Sequence, residues 1–211
     1  MLGQAEALHR PLASARIYSL VQRALGAERV RRHLLTEHLR PAAGERILDL
    51  GCGPADVVAL LPAGTRYTGV DANAAYVAAA RERYGARAEE LINADLRELD
   101  LPRSSFDAVL GIGILHHLDD EDASSAIRLS ASALAPGGRL VTADPAINPA
   151  QPRLARWLTE RDRGTWLRGP AALEQLASAW FESVEVAVRH DLARFPYTHA
   201  IVAARRPRPG A

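Results

Sequence analysis

Ile47-Leu48-Asp49-Leu50-Gly51-Cys52-Gly53-Pro54-Ala55-Asp56 is the stretch on which the fold turns. An apolar run carrying one acid enters a turn with two glycines, and the pattern predicts a helix leaving it at residues 54–61. Glycines at such a turn let the backbone adopt positive φ and approach a ligand closely. Alone, the motif points to a nucleotide-like ligand, and plain strand-to-helix connections use the same chemistry. The downstream spacing sharpens it. Gly69-Val70-Asp71 closes a second apolar run at the distance where an acid can accept both hydroxyls of a ribose. The alternative is a helix cap supplied by Asp71 or Asn73. The third run is followed by Asn93-Ala94-Asp95-Leu96, where Asp95 can accept from an adenine amino group or stand as an exposed loop carboxylate. Three acids thus follow three successive strands, and in open parallel sheets that carboxyl edge is where ligands bind.

The surrounding pattern alternates strand and helix. Strands are expected at 46–50, 66–70, 88–93, 106–112 and 139–143, and helices at 54–61, 73–84 and 122–135, the last stopped by Pro136-Gly137-Gly138. Such alternation predicts a parallel sheet with helices on both faces. Upstream, apolar residues recur at helical spacing over 12–39, and Gly26 breaks them into two helices. The last third reads as helices at 152–159 and 170–180, then strands at 181–189 and 197–204 joined by a loop, an antiparallel hairpin at the sheet edge. The resulting division is an N-terminal helical cap at 1–44, one α/β domain at 45–204 and a frayed, disordered Pro- and Arg-rich tail at 205–211.

Composition removes several classes. With 211 residues, 48% of them apolar, the chain suits one folded domain. It contains no lysine, so neither a phosphate-loop lysine nor a Schiff base to pyridoxal phosphate is available. Cys52 is the single cysteine, which leaves no internal disulfide and no cysteine cluster for zinc. A net charge of +1 argues against nucleic acid as partner, and no apolar run is long enough to span a bilayer. The expectation is a cytoplasmic monomer or homodimer acting on a small molecule, without metal.

A wider set of motifs carries a family resemblance over residues 46–144: Leu48-Asp49-Leu50-Gly51-Cys52-Gly53-Pro54, Gly69-Val70-Asp71, Ala94-Asp95, Phe106-Asp107-Ala108-Val109, Leu115-His116-His117-Leu118 and Leu134-Ala135-Pro136-Gly137-Gly138-Arg139-Leu140. With these the chain resembles the class I S-adenosylmethionine-dependent methyltransferases of small-molecule type. The resemblance implies a Rossmann-like seven-stranded, mostly parallel sheet whose last strand is antiparallel, and S-adenosyl-L-methionine as cofactor. It implies that Asp49, Gly51 and Gly53 hold the methionine end and that Asp71, with Ala72 beside it, binds the ribose diol. Asp95 and the Leu96 amide meet adenine, and the chain around Ile112 and Gly113 lines the cofactor near its methyl group. One position departs from the family pattern: Ala55 stands where a third glycine is usual, which puts close backbone approach, and so cofactor affinity, in question.

A base to take the acceptor's proton is sought among His116 and His117, since histidine titrates near neutral pH and both follow the fourth strand. The resemblance favours His117. Asp144, after the fifth strand, can orient a substrate hydroxyl or a histidine, or simply start a turn with Pro145. On the acceptor side, Arg161 and Arg163 can hold a carboxylate or phosphate or can be a solvated face. His190 and Tyr197 lie near the ends of the terminal hairpin, and Tyr18 can close over the cofactor or pack as core. Three other readings stay open here: a nicotinamide dehydrogenase, an S-adenosylmethionine enzyme of non-methylating chemistry such as cyclisation, and a non-catalytic subunit that keeps the fold. Against the dehydrogenase, Gly51-x-Gly53-x-x-Asp56 lacks its final small residue.

Overall fold

The computed structural model describes residues 26–149, 151–160 and 165–210. Gly26, at φ 94°, opens helix α1 (Ala27–His33), which continues as a π-helical turn over Leu34–Leu39. Gly26 therefore opens the second of the two expected helices, and the first lies outside the described residues. Next come β1 (Arg46–Leu50), β2 (Arg66–Asp71), α2 (Ala74–Tyr84), β3 (Glu90–Asn93), β4 (Phe106–Ile112) and α3 (Asp120–Ala133). They are followed by β5 (Leu134–Pro145), α4 (Arg153–Thr159), α5 (Pro170–Ser178), β6 (Phe181–Arg189) and β7 (His199–Pro207).

The seven strands form one sheet in the order β3-β2-β1-β4-β5-β7-β6. Six run parallel, and β7 lies antiparallel between β5 and β6. The predicted fold class is thus the observed one. Successive residues of the buried strands feed opposite cores, as the period of two requires. Ile47, Val141 and Ile201 pack with α1 and α2, while Leu48, Leu140 and Val202 pack with α3 and α5.

Three expectations are corrected. The helix expected at 54–61 is only a 3-10 turn over Asp56–Leu60. Ala55 sits in the left-handed region at φ 55°, and Leu61 is already extended, so no full α-turn fits between them. Pro136-Gly137-Gly138 is not a simple stop. β5 starts at Leu134 opposite Phe106, then bulges and re-pairs at Arg139 opposite Ala108, with Gly137 at φ 82°. Nor does the chain fray at 205. Arg205 pairs with both Arg139 and Ser183, Pro207 lies opposite Phe181, and the Arg208 amide donates to the Trp180 carbonyl at 2.8 Å. Neighbouring strands on both sides satisfy this backbone despite its polar composition.

Candidate active site

The strand order reverses between β1 and β4, and a cavity of about 820 Å³ opens beyond the carboxyl ends of the parallel strands. That is the switch-point crevice where doubly wound sheets bind ligands. Gly51 and Gly53, at φ 70° and 55°, form its floor. A Cβ on Gly51 would come within 2.8 Å of Ile114 Cδ1, whereas one on Gly53 would meet nothing within 4 Å. The first glycine is therefore required by packing, and the second leaves backbone open to a ligand.

Asp49 stands at the end of β1, almost wholly buried, and its Oδ2 accepts from the Tyr67 hydroxyl at 2.7 Å. Burial pushes its carboxyl up to about 7, against the opposing pull of the Tyr67 hydrogen bond and the Arg31 charge. Asp71 Oδ2 accepts from the Gly53 amide and its Oδ1 from the Asn73 amide, each at 2.8 Å. Burial also raises this carboxyl, against those two hydrogen bonds. The capping alternative falls to Asn73, whose side chain accepts from Ala75 and Tyr76 at the start of α2. Asp71 is thereby left to brace the glycine turn and face the cavity, with a second lone pair on each oxygen for a diol. Ala72, Leu96, Ile112 and Gly113 line the same space. Asp95 also lines it, but not as a lone acceptor. Arg97 grips it with Nε on Oδ1 at 3.0 Å and Nη2 on Oδ2 at 2.5 Å, and holds it down to about 2.

Beyond β4, a short 3-10 turn over Leu115–His117 presents the two histidines to the cavity with unequal burial. His116 is buried and His117 exposed, and their rings are in contact, tilted by 39° with centroids 4.0 Å apart. Asp144 Oδ1 lies 3.0 Å from His116 Nδ1 and accepts from the His116 amide at 3.2 Å. Asp144 is itself buried behind the ring and does not line the cavity, so of its expected roles the geometry supports orienting a histidine.

Arg168, for which the sequence carried no signal, clamps this turn. Its buried guanidinium donates to the Leu115 carbonyl at 2.7 Å and the Leu118 carbonyl at 2.8 Å, bracketing both histidines, and pairs with Asp120 at 2.8 Å. The Trp166 amide adds a bond to the His116 carbonyl at 3.1 Å. Of the acceptor-side expectations, Tyr197 lines the cavity. His190 does not: its Nδ1 is 3.0 Å from Thr198 Oγ1, a bond across the mouth of the β6–β7 hairpin. Tyr18, Arg161 and Arg163 lie outside the described residues. Tyr67 and Phe195 were missed, whereas His199, beside Tyr197 near the hairpin end, lines the cavity. Tyr67 is hidden beneath Asp49, and Phe195 lies in a loop without periodicity. Among the described residues, no three His, Cys, Asp or Glu side chains gather as metal ligands.

Fold and cavity define a doubly wound α/β protein with its binding cleft at the switch point. A methyltransferase domain model matches residues 47–138. The chain is 29% identical over 140 residues to an uncharacterised methyltransferase of Mycobacterium tuberculosis, covering 63% of this chain and 70% of that one. It is 34% identical over 114 residues to the 27-O-demethylrifamycin SV methyltransferase of Amycolatopsis mediterranei, covering 51% of this chain but only 41% of the relative. The apo crystal structure of the S-adenosylmethionine-dependent methyltransferase SibL superposes with a TM-score of 0.69 at 21% identity, covering 99% of this chain and 60% of that one. Residues 47–138 thus match a methyltransferase domain, and the chain shares its fold with S-adenosylmethionine-dependent methyltransferases.

Proposed function

We propose that this enzyme methylates a hydroxyl of a small molecule and that His116, held by Asp144, is the base. The carrying observation is the buried contact of 3.0 Å between His116 Nδ1 and Asp144 Oδ1 at the wall of the cavity. A carboxylate there keeps the ring proton on Nδ1, which makes Nε2 the basic nitrogen, and it stabilises the imidazolium once formed. His117 packs against that ring, tilted by 39°, and is itself exposed. The relative from Amycolatopsis mediterranei, by its name, methylates an oxygen-bearing small molecule, which supports the same acceptor class here.

The residues present suit the cofactor. Asp71 would offer two carboxylate oxygens to a ribose diol, the open face of Gly53 would admit the chain of the methionine moiety, and Asp49 would meet its ammonium. Leu96 and the Asp95–Arg97 pair would flank the adenine. When bound, the cofactor supplies an electrophilic methyl: an O–C bond to the acceptor forms as the C–S bond breaks, its electron pair staying on sulfur. The protein's own part is to position the acceptor, exclude water and take the hydroxyl proton onto His116.

The test is transfer of labelled methyl from S-adenosylmethionine into a small-molecule extract, read by mass spectrometry. His116→Ala and Asp144→Asn should each reduce transfer by about 10²- to 10⁴-fold while S-adenosylhomocysteine still binds. Undiminished transfer in both variants would remove the base from the proposal.

A further inference from the structure

Phe195, Tyr197 and His199 wall one side of the cavity. Their rings form a ladder of edge-to-face contacts, with centroids 5.5 Å apart at 70° for the first pair and 5.1 Å apart at 62° for the second. Edge-to-face geometry is how aromatic rings satisfy their quadrupoles, and a further ring added to such a ladder gains the same contacts. Tyr197 and His199 are buried, so the ladder is fixed in place.

Its position relative to the dyad follows from sheet register. His199, the first residue of β7, lies opposite Pro145, and Ala200 lies opposite Asp144, whose carboxylate holds His116. The aromatic wall therefore adjoins the histidine at the β5–β7 side. Asp49, Asp71 and Asp95 follow β1, β2 and β3 on the other side. Of the charged side chains lining the cavity among the described residues, Arg31 acts on Asp49, Arg97 pairs with Asp95, and Asp122 acts on Arg97. Pro145, opposite His199 in the register, and Ala193, two residues before Phe195, also line the cavity.

From this placement we infer that Phe195, Tyr197 and His199 select the acceptor, and that it is a planar aromatic molecule whose ring hydroxyl is the methylated atom. This rests on the methyl-transfer reading above. A flat ring stacks on the ladder where a saturated skeleton of equal size makes fewer contacts. A phenolic proton, with the acidity of a tyrosine side chain, is also within reach of a histidine base.

The experiment is calorimetric titration of 2-naphthol and of its saturated counterpart decahydro-2-naphthol into the full chain saturated with S-adenosylhomocysteine. The expected result is binding of 2-naphthol about 10-fold tighter or more, in line with one to two added aromatic contacts. Phe195→Leu and Tyr197→Leu should each erase most of that preference without changing S-adenosylhomocysteine affinity. Equal binding of the two compounds, tighter binding of the saturated one, or no binding of either to the S-adenosylhomocysteine complex overturns the aromatic acceptor and leaves methyl transfer standing. A protein that does not take up S-adenosylhomocysteine overturns the underlying reading instead, and the acceptor class with it.

Discussion

Asp49 is a carboxyl whose burial raises it from an ordinary acid to about 7, and that value has a sign. Since the folded state holds this proton more tightly than the unfolded chain, its contribution to stability is complete below the unfolded value near 3.8 and disappears as pH rises through about 7. Asp49→Asn should flatten that part of the pH dependence of thermal unfolding between about pH 4 and 7. A ligand ammonium favours the ionised carboxylate, so S-adenosylhomocysteine should bind the native protein more tightly at pH 8 than at pH 6 and release a proton on binding. Titration calorimetry in buffers of different ionisation heat reads both effects, and a pH-independent affinity would detach Asp49 from the ligand. Ala55 is the second informative residue. Its left-handed backbone costs about 1 kcal/mol relative to glycine, while its fully buried methyl contributes about 0.8 kcal/mol. Ala55→Gly should therefore leave the melting temperature within about 3 °C and S-adenosylhomocysteine affinity within about threefold. The alanine at the family's glycine position is tolerated because these terms nearly cancel.

At the scale of elements, the turn carrying the two histidines depends on Arg168. Removing its guanidinium would strand the carbonyls of Leu115 and Leu118 in a buried setting, at a cost of roughly 2–3 kcal/mol. Arg168→Ala should lower the melting temperature by about 4–10 °C and reduce methyl transfer further by loosening His116. A melting temperature unchanged within 1 °C would refute the clamp. This contact marks where sequence reading stops. β1, β2 and β4 were legible as apolar runs, and β6 by the alternation of Val184, Val186 and Val188 with polar or small residues. Asp49, Asp71 and Asp95 were legible because each closes such a run. The contacts of Arg168, 48 to 53 residues away in the chain, leave no local trace. His116 and His117 are chemically alike as neighbours in a sequence, and only the 3-10 turn gives one of them to Asp144 and the other to solvent. The same holds for the bulge in β5 and the reach of β7 to Pro207, which depend on partner strands rather than on their own composition.

For the molecule as a whole, the cavity joins the two halves of the sheet, so a ligand bound there should stabilise the entire domain. At 100 times its dissociation constant, S-adenosylhomocysteine should add about 2.7 kcal/mol, a rise of roughly 5–11 °C in melting temperature. NAD at the same concentration should produce no shift, and an NAD shift of equal size would speak for a generic nucleotide cleft. β7 has a wider consequence. It is the antiparallel strand set between β5 and β6, and its first residue is also part of the aromatic wall. A polypeptide cut ahead of His199 would lose more than a terminal strip. β5 and β6 would each be left with bare amides and carbonyls along a full flank, an invitation to pair with another molecule. Shortened versions of this protein should accordingly accumulate as aggregates rather than as weakened enzymes.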